Sequence, residues 1–220
     1  MNDDRHAAPR RADGPADIHA DETGAGVPHI PSKTVLRAGL LAARADRGGE
    51  ERHAAARALA EWLAAVPEIA AARVVAAYVP VGSEPGPPDL PELLRGPGCR
   101  VLLPVLLPDN DLDWAEYTGP ESLHRAGRGL HEPAGPQLGP DAVAEADAVV
   151  VPGLAVDGGG MRLGRGGGSY DRALARVRPD AFTVVLLHDG ETVAEVPAEP
   201  HDRPVRAALT PGGGLVRFGR

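Results

Sequence analysis

The stretch RLGRGGGSYDRALA, residues 162 to 175, concentrates the groups most fit for chemistry in this chain. Four glycines fill the five positions from Gly164 to Gly168, Arg162 and Arg165 supply positive charge, and Asp171 follows as a helix-like run begins. Glycines allow positive φ and let a ligand approach the backbone closely. Successive amides leading into a helix N-terminus form a cradle for anions. Arginines add bidentate donors for phosphate oxygens. A carboxylate in the same place cannot grip phosphate, but it is a hard oxygen ligand for Mg2+. The segment is read as a site for a nucleotide with its metal.

Two familiar phosphate motifs are excluded. A Walker A loop needs a lysine after its last glycine, and Ser169 stands there. A dinucleotide fingerprint counted from Gly164 ends on Ser169 instead of glycine, and the loop does not directly follow its strand. The plain alternative is a glycine linker, common in chains rich in Ala, Gly and Arg; the arginines, the acid and the immediate helix favour phosphate. Far upstream, Lys33 and Arg37 are four apart, so on a helix they share one face and can converge on one anion. Taken alone they are equally a solvated helix face. Glu84 in a Gly-Ser-Glu turn and Asp202 in EPHD are, by themselves, ordinary turn acids. His188 and His201 have no partner at zinc-site spacing, and neither is expected to be catalytic.

The elements that must position these groups read as follows. Residues 32–66 give two helices broken at Gly48-Gly49, with Ser32 as N-cap of the first. RVVAAYVPVGSE is a β-type run closing in a turn, PPDLPELLRGPG a short helix, and CRVLLPVLLP a second strand. A DND turn leads to a brief strand around LDWAEY, then a loop-rich stretch through HEPAGPQLGP. ADAVVVPGLAVD is apolar on both sides, as the middle strand of a parallel sheet must be. FTVVLLHD and a short RAALTPGG complete the set. Strands alternating with helices predict an α/β three-layer sandwich with a mostly parallel, Rossmann-like central sheet. Ligands in such folds sit beyond the carboxyl ends of the strands, which here are the loops after Pro80, Pro152 and Leu187.

Composition sets the outer bounds. The 220 residues suffice for one sizeable domain, and 43% apolar with only 3% aromatic residues suits an aliphatic α/β core. A formal charge of −8 argues against nucleic-acid or anionic-membrane partners. No apolar run reaches the ~20 residues of a membrane helix. The single cysteine, Cys99, excludes an internal disulfide framework and fits a cytoplasmic location. Residues 1–31 are polar, acidic and rich in Ala, Gly and Pro, and are expected to form a disordered tail before a domain at 32–220.

The segment VVVPGLAVDGGGMRLGRGGGSYDRAL resembles the signature of 5-formyltetrahydrofolate cyclo-ligases, in which a strand ending in Pro-Gly leads to an Arg-Leu-Gly loop closing in Tyr-Tyr-Asp. KTVLR, YVPVGSEPG, HEPAGP and VPAEPHD resemble further family segments in the same order, over roughly residues 32 to 212. The resemblance implies ATP contacts at Lys33, Thr34, Val35, Leu36 and Arg37, and along Arg162, Leu163, Gly164, Arg165, Gly166, Gly167, Gly168, Ser169 and Tyr170. It implies catalytic roles for Arg165 and Lys33, folate contacts at Val79 and Glu84, and Mg2+ ligation by Asp171 and Asp202. Three positions depart from the family pattern. Ser169 replaces the first of two tyrosines, Gly167 stands where some relatives carry lysine, and Arg206 stands where aspartate is frequent.

The implied activity is ATP- and Mg2+-dependent cyclisation of 5-formyltetrahydrofolate to 5,10-methenyltetrahydrofolate by a monomer whose partners are small molecules. A regulatory nucleotide-binding module on the same scaffold would keep the glycine loop but have no use for Glu84 in its turn. A sugar-phosphate isomerase or acyl-CoA transferase on a similar sheet would need a catalytic acid and no ATP apparatus.

Overall fold

This computed structural model describes residues 31–219. The expected tail at residues 1–31 lies, but for Pro31, outside them. Helix α1 (Lys33–Ala45) starts where the Ser32 side chain accepts the Val35 amide, as its sequence position predicts. Helix α2 (Gly49–Ala64) opens at the Gly48-Gly49 break, and a single turn, α3 (Pro67–Ala70), leads into strand β1 (Val74–Ala76). Helix α4 (Leu90–Leu94) and strands β2 (Arg100–Leu106) and β3 (Leu112–Tyr117) follow. The stretch read as loop contains two short strands, β4 (Leu123–Arg125) and β5 (His131–Pro133), which pair antiparallel.

The apolar run read as one strand over 146–157 is divided. Its first half is β6 (Ala148–Pro152), and past Gly153 the chain turns off as β7 (Ala155–Val156) to pair with β8 (Arg162–Leu163). Gly153 explains the break: a Cβ there would lie 2.6 Å from Val185 Cγ2, so only bare backbone fits against the neighbouring strand. Helix α5 (Ser169–Arg176), strand β9 (Phe182–Leu186), β10 (Ala207–Thr210) and β11 (Gly214–Arg217) end the chain.

The main sheet has seven strands in the order β11-β10-β9-β6-β1-β2-β3. The five inner strands run parallel, and β3 and β11 close the two edges antiparallel. Period-two alternation divides the core between two faces. Ala148 and Val150 of β6, with Val184 and Leu186 of β9, meet Leu59 and Leu63 of α2 and Leu90 and Leu94 of α4. Val149, Val151 and Val185 point the other way, onto Ala173 and Leu174 of α5 and onto Ala142 and Val143 of the short turn Pro140–Glu145. The protein is therefore an α/β sandwich of three layers about a mostly parallel sheet. Helix α1 stands outside these layers and packs Leu36, Leu40 and Leu41 on Leu154, Ala155 and Leu163 of the β7–β8 hairpin.

Candidate active site

Packing of α1 on the hairpin brings its first turns to the glycine loop that leaves β8. Arg37 Nε donates to the Gly164 carbonyl at 2.9 Å. The Arg37 guanidinium also covers Gly166, its carbon 3.4 Å from where a Cβ would stand. Gly168 is the N-cap of α5 and lies in the left-handed region at φ 69°, a conformation that favours glycine. The amides from Arg165 to Gly168 have no acceptor among the described residues. Together with the first amides of α5, which a helix leaves unpaired, they form the cradle that the sequence suggests.

Three charge contacts frame this cradle. Arg165 Nε donates to Glu84 Oε1 at 3.2 Å, and Glu84 Oε2 accepts the Val81 amide at 3.1 Å, which fixes the carboxylate in its turn. The Arg165 side chain is 53% exposed and Glu84's 11%. Lys33 Nζ donates to Asp202 Oδ2 at 2.6 Å and to Glu199 Oε2 at 3.1 Å. Burial works against the Lys33 ammonium, but its bonds to the two acids hold its pKa above the ordinary lysine value. Asp202 is the converse: burial disfavours its charge, yet Lys33 and the Glu199 amide keep its carboxyl below the usual range. Third, Asp171 Oδ1 accepts Arg162 Nη2 at 2.8 Å and the Arg203 amide at 3.3 Å. The peptide joining Asp202 to Arg203 thus brings the two aspartates into one neighbourhood.

The remaining residues singled out in the sequence divide by orientation. Arg162 is buried, 4% exposed, with Nε unpartnered; burial pulls its pKa down, opposed by Asp171. Leu163 and Leu36 face the hydrophobic contact between α1 and the hairpin, whereas Thr34 and Val35 are exposed. Val79 packs partly buried against the core. Ser169 opens α5, and the Tyr170 ring wedges against the cores of both sheet faces. Burial, then the nearby Glu84 charge, push the Tyr170 phenol well above its usual range.

Sequence reasoning missed Glu199, although it stands three residues before Asp202. Among the described residues, Glu199, His201 and Asp202 have donor atoms within 4.8 Å of one another, and Asp171 is not part of that trio. Missed also was Arg44, although Lys33, Arg37 and Arg44 recur at helical spacing on one side of α1.

A family model, 5-formyltetrahydrofolate cyclo-ligase family, matches residues 29–211. The chain belongs to this family. It is 43% identical to the Mycolicibacterium smegmatis 5-formyltetrahydrofolate cyclo-ligase, covering 84% of this chain and 96% of that protein. The Escherichia coli K12 cyclo-ligase is 32% identical over 66% of this chain and 81% of its own length. Among solved structures, the Aquifex aeolicus 5,10-methenyltetrahydrofolate synthetase superposes with a TM-score of 0.71 at 29% identity, covering 86% of this chain and 94% of that one. The cyclo-ligase family is one of enzymes, and in parallel α/β sheets ligands commonly sit beyond the carboxyl ends of the strands, where the loops after β1, β6 and β9 gather here. No helix among the described residues is long and apolar enough to cross a membrane.

Proposed function

We propose that the protein uses ATP to close 5-formyltetrahydrofolate into 5,10-methenyltetrahydrofolate at this site, with Mg2+ as cofactor. The observation that carries the reading is the juxtaposition of a phosphate cradle, Arg165 to Gly168, with Glu84, through the Arg165–Glu84 contact at 3.2 Å. A module that only bound nucleotide would need the first and not the second.

An N-formyl group is a weak electrophile because amide resonance feeds its carbonyl and its oxygen leaves poorly. The formyl oxygen attacks the γ-phosphorus of ATP and ADP departs. The N10 lone pair then adds to the formyl carbon, which has become an activated imidate. The C–O bond breaks, phosphate leaves with its electron pair, and the N10 proton is lost to solvent. Such transfer asks the protein mainly for positioning and for charge on the phosphoryl oxygens. Arg165 is exposed enough to swing from Glu84 to a γ-phosphate, Arg37 lines the same loop from α1, and Lys33 stands one helical turn before it, beside Asp202. Glu84, held by the Val81 amide, can accept paired N–H donors of the pterin ring, beside Val79.

The donors present fit Mg2+. Asp171 and Asp202 are hard carboxylates in one neighbourhood, and Asp171 Oδ2 and Asp202 Oδ1 accept no hydrogen bond among the described residues. When bound, the ion supplies charge neutralisation on the phosphates. The test is an assay of purified protein with 5-formyltetrahydrofolate and Mg2+, with and without ATP, following methenyl absorbance. Product is expected only with ATP; product without ATP, or none with it, overturns the reading.

A further inference from the structure

Behind the site lies a chain of buried polar groups that the mechanism does not use. Arg44, at the far end of α1 from Lys33, is 1% exposed, Glu191 is 3% and His188 is 2%. Arg44 Nε and Nη2 meet the two Glu191 oxygens at 2.7 Å each, and Nη2 also donates to the Gly153 carbonyl at 2.6 Å. Glu191 Oε2 accepts the His188 amide at 2.8 Å. The His188 ring continues the line, its Nε2 lying 3.1 Å from the Ser83 carbonyl. A carbonyl only accepts, so Nε2 carries the proton and Nδ1, which is buried without a partner, is the bare nitrogen. Burial lowers the His188 pKa, consistent with that neutral ring.

A buried ion pair is a poor means of adding stability, because desolvation offsets its attraction and apolar residues of similar volume serve as well. Its contacts suggest another use. Gly153 belongs to the loop after β6, His188 to the loop after β9, and Ser83 to the loop after β1, immediately before Glu84. All three are thereby referred to α1, the helix that carries Lys33 and Arg37. We infer that Arg44, Glu191 and His188 are positioning residues that hold the Ser83–Glu84 turn in register with the nucleotide loop, so that Glu84 meets the folate ring. This rests on the cyclo-ligase reading of the site.

The test compares His188→Phe, which keeps a ring of similar size but cannot donate to Ser83, with His188→Gln, which keeps an N–H donor. A hydrogen bond contributes about 1 kcal/mol net, so His188→Phe is expected to raise KM for 5-formyltetrahydrofolate about five- to tenfold. KM for ATP should stay within about twofold, and His188→Gln should recover most of the loss. Folding of each variant is checked by circular dichroism. An unchanged folate KM, an equal rise in both KM values, or a Gln variant no better than Phe overturns the inference. A wild-type protein inactive with ATP would instead overturn the functional reading beneath it.

Discussion

The two ends of helix α1 handle charge in opposite ways. At its start, Lys33 reaches acids at the rim of the site, and across the loop Arg165 leans on Glu84 with half its side chain in solvent. At its end, Arg44 is sealed from water and committed to Glu191 and Gly153 by three bonds. The rim pairs join groups that the functional reading assigns to different ligands: Lys33 to ATP and Asp202 to metal, Arg165 to phosphate and Glu84 to folate. Such pairs can be exchanged for ligand contacts, because each partner is assigned a second one in the site. The buried pair has no such alternative partner, and its role is geometric. The offer of a second partner, more than the number of bonds, separates a charge that acts from a charge that fixes.

That contrast can be broken in graded steps. The largest effect is expected at the buried end: Glu191→Ala leaves Arg44 charged and unpaired, and should lower unfolding free energy by about 3–5 kcal/mol in urea titration. A loss below about 1 kcal/mol would mean that water reaches the pair, erasing the distinction. At the rim, Arg165→Ala should cut turnover on the order of 10²- to 10³-fold, by analogy with removal of an oxyanion donor. Its stability should stay within about 0.5 kcal/mol, as for an ordinary surface change; comparable losses in both would show that Arg165 is structural. A smaller shift is expected for Asp171→Asn, which keeps the shape but removes a charge. The Mg2+ concentration at half-maximal rate should rise, and an unaltered magnesium titration would remove Asp171 from the metal's ligands.

The smallest effect concerns pH. The His188 pKa is depressed by burial from the ordinary 6.5, so the folded state resists its protonation while the unfolded chain accepts it. Stability from this group is complete above about pH 6.5 and is lost as pH falls through the lower folded value. Thermal midpoints of wild type and His188→Phe should therefore converge between about pH 7 and 5.5, and parallel curves would show that the ring takes up its proton equally in the folded and unfolded states.

How much of this was legible depended on whether the signal was local. Strand β3 was readable to its limits as LDWAEY, since the DND turn before it and its own residue types are both short-range signals. Ser32 as a cap, the apolar β6 and the helix after the glycine loop were legible for the same reason. Strands β4 and β5 were not, because three residues each cannot establish a period. Strand β7 was hidden inside an apolar run whose only mark of division is Pro152-Gly153, its partner β8 is two residues long, and β11 begins in the glycines that follow β10. At the site, residue types and the family resemblance pointed to the loop, Glu84 and the two aspartates. The pairing of Arg44 with Glu191 joins residues 147 apart, and only the fold brings them together.

Tyr170 has a consequence for how the glycine loop comes apart. Its ring is held by the interiors on both sides of the sheet, directly at the start of α5. The downstream end of the loop is therefore moored to the interior, while its upstream end is tied to α1 through the Gly164 carbonyl. Loosening that mooring disturbs the packing on both sides of the sheet, so the shape of the phosphate cradle is coupled to the integrity of the core.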